Sequence, residues 1–475
     1  MSSRWFLIHY PYAMNEIVNS ETIAAVDAIF DDYFQQGRSP GLIYAIAQGD
    51  QILHWKAMGD AILDEAPTQR ITPFRVASIT KSFTAMAILQ LRDQGLLDLD
   101  KSFLTYIPEL FAQQIEVFEI TVRQLLTMSA GFPTDDSWAD RVESFTDDEF
   151  NQALDLGFRF NSRPGARFEY SNLGYALLGR IIANISKKSY VNYVTTEIIQ
   201  MIGLTSTTFD FESAPNLAKG YAKFDTWIEE PHQHSGAFSP IGGVITTIDD
   251  LVLWSAYLSS AFDPDALEMG PLKKSSRREM QKIHQIIIKS TANESENEAS
   301  VEGYGFGLVV EHPDQFGRII SHSGGYPGFG AHMQWHADSG ICIVAFANGR
   351  YSSPVKAVIP ALQLLIKEVQ HRNSEISAEL IVIHARIHEL LLAWNDSTAD
   401  QLFAVNMDLD YPREYRKNQI AKVGALTGVF KIIESLSSSH LRWREEAELG
   451  ALEIEIRLAP LRPTQVQTLN ITCTE

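Results

Sequence analysis

The chain has 475 residues, of which 45% are hydrophobic and 21% are charged. This composition is typical of a globular protein with a sizeable core and excludes an intrinsically disordered chain. The formal net charge is −20, from 39 Lys and Arg against 59 Asp and Glu. Such an acidic chain is not attracted to phosphate backbones or anionic lipid, so we expect no nucleic-acid partner.

The sequence predicts neither a membrane span nor a secretion signal. The apolar run Trp5 to Ile8 is shorter than a signal-peptide core, and no apolar stretch elsewhere is long enough to cross a bilayer. These features favour a cytoplasmic protein, with export left open if Met14 is the true start. The two cysteines, Cys342 and Cys473, give no disulfide framework, and Cys342 in an apolar run predicts a buried thiol.

The first predicted elements are a helix over residues 21–37 and a β-hairpin. Apolar residues recur at helical spacing in the helix. The hairpin strands run from Gly41 to Ala47 and from Gln51 to Lys56, joined by a turn. A long helix is predicted from Ser78 to about Leu97. Between residues 100 and 265 the pattern indicates helical segments and loops with few strands.

Strands are predicted again after residue 300, followed by a helix from Pro354 to about Gln370. The predicted strands are Tyr304 to Glu311, Arg318 to His322, Ala331 to His336, and Gly340 to Phe346. Before them, the segment from Lys273 to Ser300 ends in the charged run Asn293 to Glu298 and predicts a solvent-exposed loop. Strands at both ends with helices between predict one sheet assembled from distant segments, with an inserted helical lobe.

The pattern changes after Arg372, where a separate small α+β domain is predicted over residues 374–475. Residues 376–394 have helical periodicity. Short alternating strands follow at Val429 to Ile433, Leu452 to Leu458, and Val466 to Ile471. The predicted organisation is therefore an N-terminal extension over 1–20, a main domain over 21–372 and this C-terminal domain.

The stretch Ser78-Ile79-Thr80-Lys81 pairs a nucleophile with a base if it opens a helix. Residues three apart lie on one helical face, so the Ser78 hydroxyl and the Lys81 amine come within reach of each other. A serine hydroxyl needs a neighbouring proton acceptor, and Lys81 serves if burial or a second cation lowers its pKa. The spacing also arises by chance, as Ser353 and Lys356 show. A helix-capping role is the alternative for Ser78.

Two further motifs follow this serine in chain order. Tyr170-Ser171-Asn172 lies in a loop that runs into a predicted helix, and His322-Ser323-Gly324-Gly325 ends a predicted strand. Each motif has a decoy, Tyr190-Val191-Asn192 and His234-Ser235-Gly236, but neither decoy has the same context. The stretches 125–131 and 242–247 complete the ordered series.

With these motifs the sequence resembles the serine β-lactamase and penicillin-binding protein family over roughly residues 20–370. It is most similar to the class C branch and the related esterases and D-aminopeptidases. The resemblance implies an α+β fold with a β-lactamase/transpeptidase-like antiparallel sheet, flanking helices and an inserted helical lobe. It also implies catalysis through an acyl-enzyme.

In that scheme Ser78 attacks a carbonyl carbon, and Lys81 with the Tyr170 hydroxyl carries the serine proton to the leaving group. Nearby cations are expected to acidify Tyr170. The resemblance assigns Asn172 to hold Lys81 and a substrate amide by hydrogen bonds. A packed loop aromatic is the alternative reading of Tyr170.

The third motif supplies the remaining predicted site residues. The backbone N–H groups of Ser78 and, by resemblance, Gly325 form an oxyanion hole, while Gly324 and Gly325 let substrate approach the strand edge. His322 stands where β-lactamases usually carry lysine, and histidine there resembles the esterase and peptidase relatives. As a weaker cation it disfavours carboxylate-bearing β-lactams; its alternative role is a structural hydrogen bond.

The leading interpretation is a metal-independent serine hydrolase that needs no cofactor and cleaves a small-molecule ester or amide. The alternatives are a D-amino-acid peptidase or β-lactamase, and a catalytically silent penicillin-binding-like scaffold, since a fold does not guarantee activity. His384 and His388 have a metal-compatible spacing without an evident third ligand, so a solvated helix face is expected. The natural substrate and the oligomeric state are not indicated by the sequence.

Overall fold

The computed structural model describes residues 19–113, 119–288, 300–313, 315–373 and 376–474. The predicted apolar run at 5–8 and the charged run at 293–298 lie outside these residues. The chain divides into two compact units, Met1–Glu368 and Val369–Glu475. No helix within the described ranges combines the length and hydropathy that crossing a bilayer requires.

Twelve α-helices begin within the described part of the first unit. In chain order they are α1 (Ser20–Gln35), α2 (Thr80–Asp93), α3 (Val122–Leu126), α4 (Asp136–Ala139), α5 (Asp147–Asp155), α6 (Asn172–Ser186), α7 (Tyr190–Val194), α8 (Gln200–Ile202), α9 (Ser239–Gly242), α10 (Ile248–Ser259), α11 (Lys274–Met280) and α12 (Val355–Asn373). The boundary between the two units falls inside α12. A 3-10 turn, Ala77–Ile79, directly precedes α2.

The strands of this unit come from both ends of its sequence. They are β1 (Gly41–Gln48), β2 (Gln51–Ile62), β3 (Ala66–Pro67), β4 (Phe74–Arg75), β5 (Tyr221–Lys223), β6 (Trp227–Glu229), β7 (Ile245–Thr246), β8 (Gln285–Ile286), β9 (Ser300–Tyr304), β10 (Val309–Pro313), β11 (Ile319–Tyr326), β12 (Phe329–His336) and β13 (Ile341–Ala347). Among the described residues, nine strands form one antiparallel sheet in the order β3-β2-β1-β13-β12-β11-β10-β9-β8. The pairs β4-β7 and β5-β6 form two small sheets.

Strands β1 and β13 are neighbouring inner strands of the large sheet, and every residue in both is buried. On one face Phe30 of α1 stacks on Tyr44, with ring centroids 3.7 Å apart. On the other, Ile43 and Ala45 join a core that includes Trp254 of α10. A strand covered on both faces is apolar throughout and does not alternate, which explains why its sequence was recognisable.

Helix α2 is buried on all sides from Thr80 to Leu91. A helix without a solvated face belongs to the interior of a large domain. Its polar side chains must therefore find partners within the protein, because an unpaired buried polar group is costly. Lys81, in the first turn of α2, is one of these fully buried polar side chains.

The second unit has four described helices followed by one sheet. They are α13 (Ala378–Leu392), α14 (Asp396–Leu402), α15 (Met407–Asp410) and α16 (Arg413–Ala421), then β14 (Leu426–Ser437), β15 (His440–Ala447), β16 (Gly450–Leu458) and β17 (Val466–Thr474). The strands pair antiparallel in sequence order. Their inner face, with Trp443 and Ile454, packs with Leu380 and Ile387 of α13 in one core.

The α+β class, the antiparallel sheet assembled from distant segments and the inserted helical lobe are confirmed. The buried thiol of Cys342 is confirmed as well, and its burial raises the thiol pKa to about 12. The helix predicted from Ser78 to about Leu97 is shorter, since it begins with a 3-10 turn and ends at Asp93, before Gly95 with φ +76°.

Three other predictions of local structure are wrong. The single strand predicted over 304–311 is two strands, because Gly307 turns the chain with φ +68°. The loop predicted over 273–300 contains α11 and β8. Strand β15 was missed, since its half-buried positions are mostly charged and only alternate residues such as Leu441 and Trp443 are apolar and buried.

Candidate active site

Ser78 lies in the tight turn before α2 and lines a cavity of about 650 Å³. Its neighbours Ala77 and Ile79 are buried, whereas Ser78 itself is partly exposed. Ala77 has φ +47°, a backbone conformation that non-glycine residues rarely adopt and that clusters at functional sites. The turn thus presents one hydroxyl to the cavity and buries the residues on either side.

The Lys81 amine contacts the Ser78 hydroxyl directly. Its Nζ lies 2.9 Å from Ser78 Oγ and 3.0 Å from the carbonyl oxygen of Ile241 in α9. A Cβ on Gly307 would lie 2.6 Å from the Lys81 carbonyl oxygen, so the β9-β10 turn closes directly over this part of α2. The two hydrogen bonds of Lys81 Nζ hold the amine beside the Ser78 hydroxyl.

Burial lowers the pKa of Lys81 to about 8. The carboxylates of Asp136, Asp140, Asp135 and Glu143 act in the opposite direction and favour the ammonium form. With a pKa near 8, about a tenth of the lysine side chains are neutral at pH 7 and available to accept a proton. Desolvation therefore supplies a base that an exposed lysine would not provide.

Tyr170 contacts the same pair of residues. Its hydroxyl interacts with the Ser78 side chain, which acts to lower the Tyr170 pKa, and its ring centroid lies 5.0 Å from Lys81 Nζ. The prediction that cations acidify Tyr170 is wrong: burial, reinforced by Asp136, raises its pKa well above the usual value for a phenol. Tyr170 is therefore a neutral phenol that can donate or relay a proton.

Asn172 begins α6 but does not make the predicted bond to Lys81. Its Nδ2 donates to Asp136 Oδ1 at 2.7 Å, and its buried Oδ1 has no hydrogen-bond partner among the described residues. The backbone N–H groups of Asn172 and Leu173 donate to the two carboxylate oxygens of Asp135 at 2.7 and 2.9 Å. A carboxylate at a helix N-terminus is favourable, and this one anchors the loop before α4 to the start of α6.

His322 of β11 is a neutral, fully engaged imidazole. Its Nδ1 lies 2.6 Å from the Ser323 carbonyl oxygen, which can only accept, so Nδ1 carries the proton. Nε2 then accepts from the Tyr304 hydroxyl at 3.0 Å. Burial, reinforced by the Lys81 charge, lowers the pKa of His322 to about 3. The third motif therefore brings no cation to the cavity at neutral pH.

Gly324 and Gly325 allow β11 to run close beside the nucleophile turn. A Cβ on Gly324 would lie 2.1 Å from the Val76 carbonyl oxygen, closer than any real contact. A Cβ on Gly325 would lie 3.1 Å from Cδ1 of Tyr351. Gly324 is thus required for packing, and Gly325 lies on the cavity wall.

The cavity also contains residues that sequence reasoning missed. Asp136 and Asp140 come from α4 and its end, Tyr304 from the end of β9, and Tyr351 from the turn after β13. Asp140 is buried, and burial raises its pKa to about 7. No motif singles out these positions in the sequence, because the fold brings them together from segments far apart.

The decoys of the sequence motifs do not line this cavity. The Tyr190 hydroxyl lies 2.8 Å from Thr84 Oγ1 in the core, and the His234 ring packs on Phe211 with centroids 5.0 Å apart. In the second unit, the solvated face expected for His384 and His388 is wrong, because His384 is buried and His388 Nδ1 lies 2.7 Å from Oε1 of the buried Glu445. The described residues contain no group of three or more His, Cys, Asp or Glu arranged to hold a metal ion.

Comparisons with known proteins agree with this geometry. Protein flp of Staphylococcus aureus (strain COL) is 27% identical over 365 residues, 74% of this chain and 66% of that protein. The chain thus spans slightly less than two thirds of that relative's length. Penicillin-binding protein 4* of Bacillus subtilis (strain 168) is 24% identical over 73% of this chain and 75% of that protein.

Two solved structures share the fold. An octameric penicillin-binding protein homologue from Pyrococcus abyssi superposes with a TM-score of 0.61 at 20% identity and 94% coverage of both chains. A class C beta-lactamase superposes with a TM-score of 0.59 at 18% identity, over 76% of this chain and 98% of that chain. The β-lactamase/transpeptidase-like fold implied by the sequence is confirmed.

The model of the Beta-lactamase family matches residues 26–367. That range is most of the first unit and holds every residue that lines the Ser78 cavity. Since the match covers well over half of the chain and coincides with the fold and the serine turn, the chain belongs to the beta-lactamase family.

Proposed function

We propose that the protein is a serine hydrolase that cleaves a small ester or amide through an acyl-enzyme on Ser78. The observation that carries the proposal is the enclosed amine of Lys81, which lies 2.9 Å from the Oγ of Ser78, a residue that lines the cavity. A capping role for Ser78 would not need a buried lysine on its hydroxyl, nor a second hydroxyl group, that of Tyr170, in the same cavity.

Acylation begins when neutral Lys81 accepts the Ser78 hydroxyl proton. The serine oxygen then bonds to the substrate carbonyl carbon, and the bond from that carbon to the leaving group breaks. Tyr170, kept as a neutral phenol by its raised pKa, donates its proton to the leaving alcohol or amine and recovers one from Lys81. In deacylation a water molecule attacks the ester, its proton returns through the same groups, and the acid product departs.

Negative charge on the carbonyl oxygen needs fixed donors. The proposal assigns this role to the backbone N–H groups of Ser78 and Gly325, which both line the cavity. Gly324 supports the arrangement by letting β11 approach the serine turn, and Asn172 supports it indirectly through Asp136.

The proposed hydrolase domain is residues 21–372, with a separate C-terminal domain over 374–475.

The charge of the cavity favours esters and amides that carry no carboxylate. The described residues that line the cavity include no Lys or Arg, but they include Asp136 and Asp140. His322 is neutral at pH 7 because burial lowers its pKa to about 3. A β-lactam or a peptide with a free carboxylate would find no cation at the position where the third motif usually offers one.

A second candidate is a D-amino-acid peptidase or β-lactamase. It is supported by the penicillin-binding protein and class C beta-lactamase among the similar proteins. The experiment is a hydrolysis panel of p-nitrophenyl esters, a chromogenic cephalosporin and a D-alanine amide, each measured with wild type and Ser78→Ala. Ester turnover that depends on Ser78 and exceeds cephalosporin turnover supports the leading proposal, and the reverse order supports the second. A folded protein without Ser78-dependent turnover of any of the three refutes both.

A further inference from the structure

Tyr351 and Asp140 meet across the catalytic cavity. Tyr351 follows β13 on the sheet side, and Asp140 follows α4 on the helical side. The Tyr351 hydroxyl donates to Asp140 Oδ2 at 3.0 Å, and both residues line the cavity that holds Ser78. We call this pair the Tyr351–Asp140 bridge.

The turn that carries Tyr351 is held in a strained conformation. Tyr351 has φ +47°, which is a genuine outlier for a bulky side chain. Its backbone N–H donates to the Tyr326 carbonyl oxygen at 3.2 Å. The following residue, Ser352, is pressed against β12, where a Cβ on Gly330 would lie 1.7 Å from the Ser352 carbonyl oxygen. Strain of this kind persists only where the surrounding packing enforces it.

A second link joins the same two segments beside the bridge. Arg141, the neighbour of Asp140, lies with Nη1 2.9 Å from Glu230 Oε2. Arg350, the neighbour of Tyr351, lies with Nε 3.6 Å from Oε1 of the same Glu230. The helical and sheet segments are thus connected twice, so the position of the Tyr351 ring is fixed and does not depend on one hydrogen bond.

The Tyr351 ring lies beside Gly325 of β11, whose backbone N–H is the proposed oxyanion donor. A Cβ on Gly325 would come within 3.1 Å of Tyr351 Cδ1, which places the ring edge beside the proposed oxyanion donor. A carbonyl held between Ser78 and Gly325 must turn its leaving group towards the proton donor Tyr170. The acyl substituent is then assigned to the part of the cavity that Tyr351 and Asp140 line.

From this geometry we propose, building on the hydrolase function above, that the Tyr351–Asp140 bridge is the specificity wall of the acyl pocket. The ring limits the length of the acyl group, and the Asp140 carboxyl group disfavours acyl groups that carry an anion. The favoured substrates are therefore esters or amides of short, uncharged or cationic acids. Each extra methylene that a pocket cannot accommodate changes selectivity by about tenfold or more.

The test measures kcat/KM for p-nitrophenyl acetate, butyrate and octanoate with wild type, Tyr351→Ala and Tyr351→Phe. We expect wild type to favour acetate. Tyr351→Ala is expected to raise the octanoate-to-acetate ratio about tenfold or more, whereas Tyr351→Phe, which keeps the ring, changes it much less. Tyr351→Gly repeats the truncation without backbone strain at positive φ. The control is Phe224→Ala, an aromatic residue of the same unit that is 64% exposed and does not line the cavity.

The charge of the wall is tested with Asp140→Asn, whose amide oxygen still accepts from Tyr351. We measure the ratio of two kcat/KM values, that for p-nitrophenyl hemisuccinate, whose acyl group is anionic, divided by that for p-nitrophenyl butyrate. Asp140→Asn is expected to raise this ratio. Unchanged length and charge ratios in folded variants that still hydrolyse acetate through Ser78 would overturn the inference and leave the hydrolase function standing. Absence of Ser78-dependent hydrolysis in wild type would overturn the hydrolase function, and this inference with it.

Discussion

The amine of Lys81 lies 2.9 Å from the hydroxyl oxygen of Ser78 and has no exposure to solvent. The pair spans the junction between the 3-10 turn and α2, so its geometry is set by backbone structure and not by flexible side chains alone. Burial lowers the lysine pKa, and in the proposed mechanism the Tyr170 hydroxyl, in the same cavity, carries a proton to the leaving group.

The pH dependence of acylation should report Lys81. The folded pKa is lowered from the usual value for lysine to about 8, so the reactive neutral amine is depleted as pH falls below that value. We expect kcat/KM for an uncharged ester to rise about tenfold per pH unit from pH 6 to pH 7.5 and to level off above about 8. Lys81→Arg, which stays charged, should lower kcat/KM by about 10²-fold or more across this range. A profile that is flat from pH 6 to 9 would contradict this role.

Tyr170→Phe should reduce turnover while leaving the serine accessible. The phenol is neutral because burial raises its pKa, so its loss removes a proton donor and not a charge. We expect kcat to fall about 10²- to 10⁴-fold with KM changed little, in steady-state assays on one ester. Tyr190→Phe is the control, because that hydroxyl bonds to Thr84 in the core. Equal effects of the two substitutions would count against a proton-transfer role for Tyr170.

His322→Gln should leave the shape of the pH profile unchanged. Because burial lowers the His322 pKa to about 3, the imidazole is already neutral throughout pH 5–9 and contributes no inflection there. Gln keeps a polar side chain for Tyr304, so we expect a loss in kcat/KM of less than about tenfold. The loss of an inflection near pH 6–7 in the variant would show that His322 titrates in the wild type, against this account.

Gly324→Ala should destabilise the fold. The added methyl group would meet the Val76 carbonyl oxygen at 2.1 Å, and a backbone atom cannot move aside cheaply. We expect the cost to reach about 1–3 kcal/mol or more, as for other overpacked sites, measured as a lower midpoint of urea unfolding. Gly174→Ala is the matched control, since its nearest neighbour would be Leu125 Cδ2 at 3.7 Å. Similar midpoints for the two variants would show that β11 does not need the close approach.

The sequence predicted the centre of the sheet and the three motifs but not the walls of the cavity. Strands β1 and β13 were recognisable because both are buried along their whole length and almost entirely apolar. Strand β15 was not, because half-buried charged residues alternate with its buried ones. Asp140 and Tyr351 are separated by 211 positions in the chain, and only tertiary packing brings them together. The prediction for the Tyr170 pKa is wrong in direction, since burial, reinforced by Asp136, raises it.

The most direct test of the central claim is intact mass after exposure to a serine-reactive fluorophosphonate, with wild type and Ser78→Ala compared. An activated serine at the base of the cavity predicts one covalent adduct on the wild type and none on the variant. Lys81→Arg should slow adduct formation strongly, because it leaves no neutral base beside the serine. An adduct of equal yield on folded Ser78→Ala, or none on folded wild type, would contradict the account.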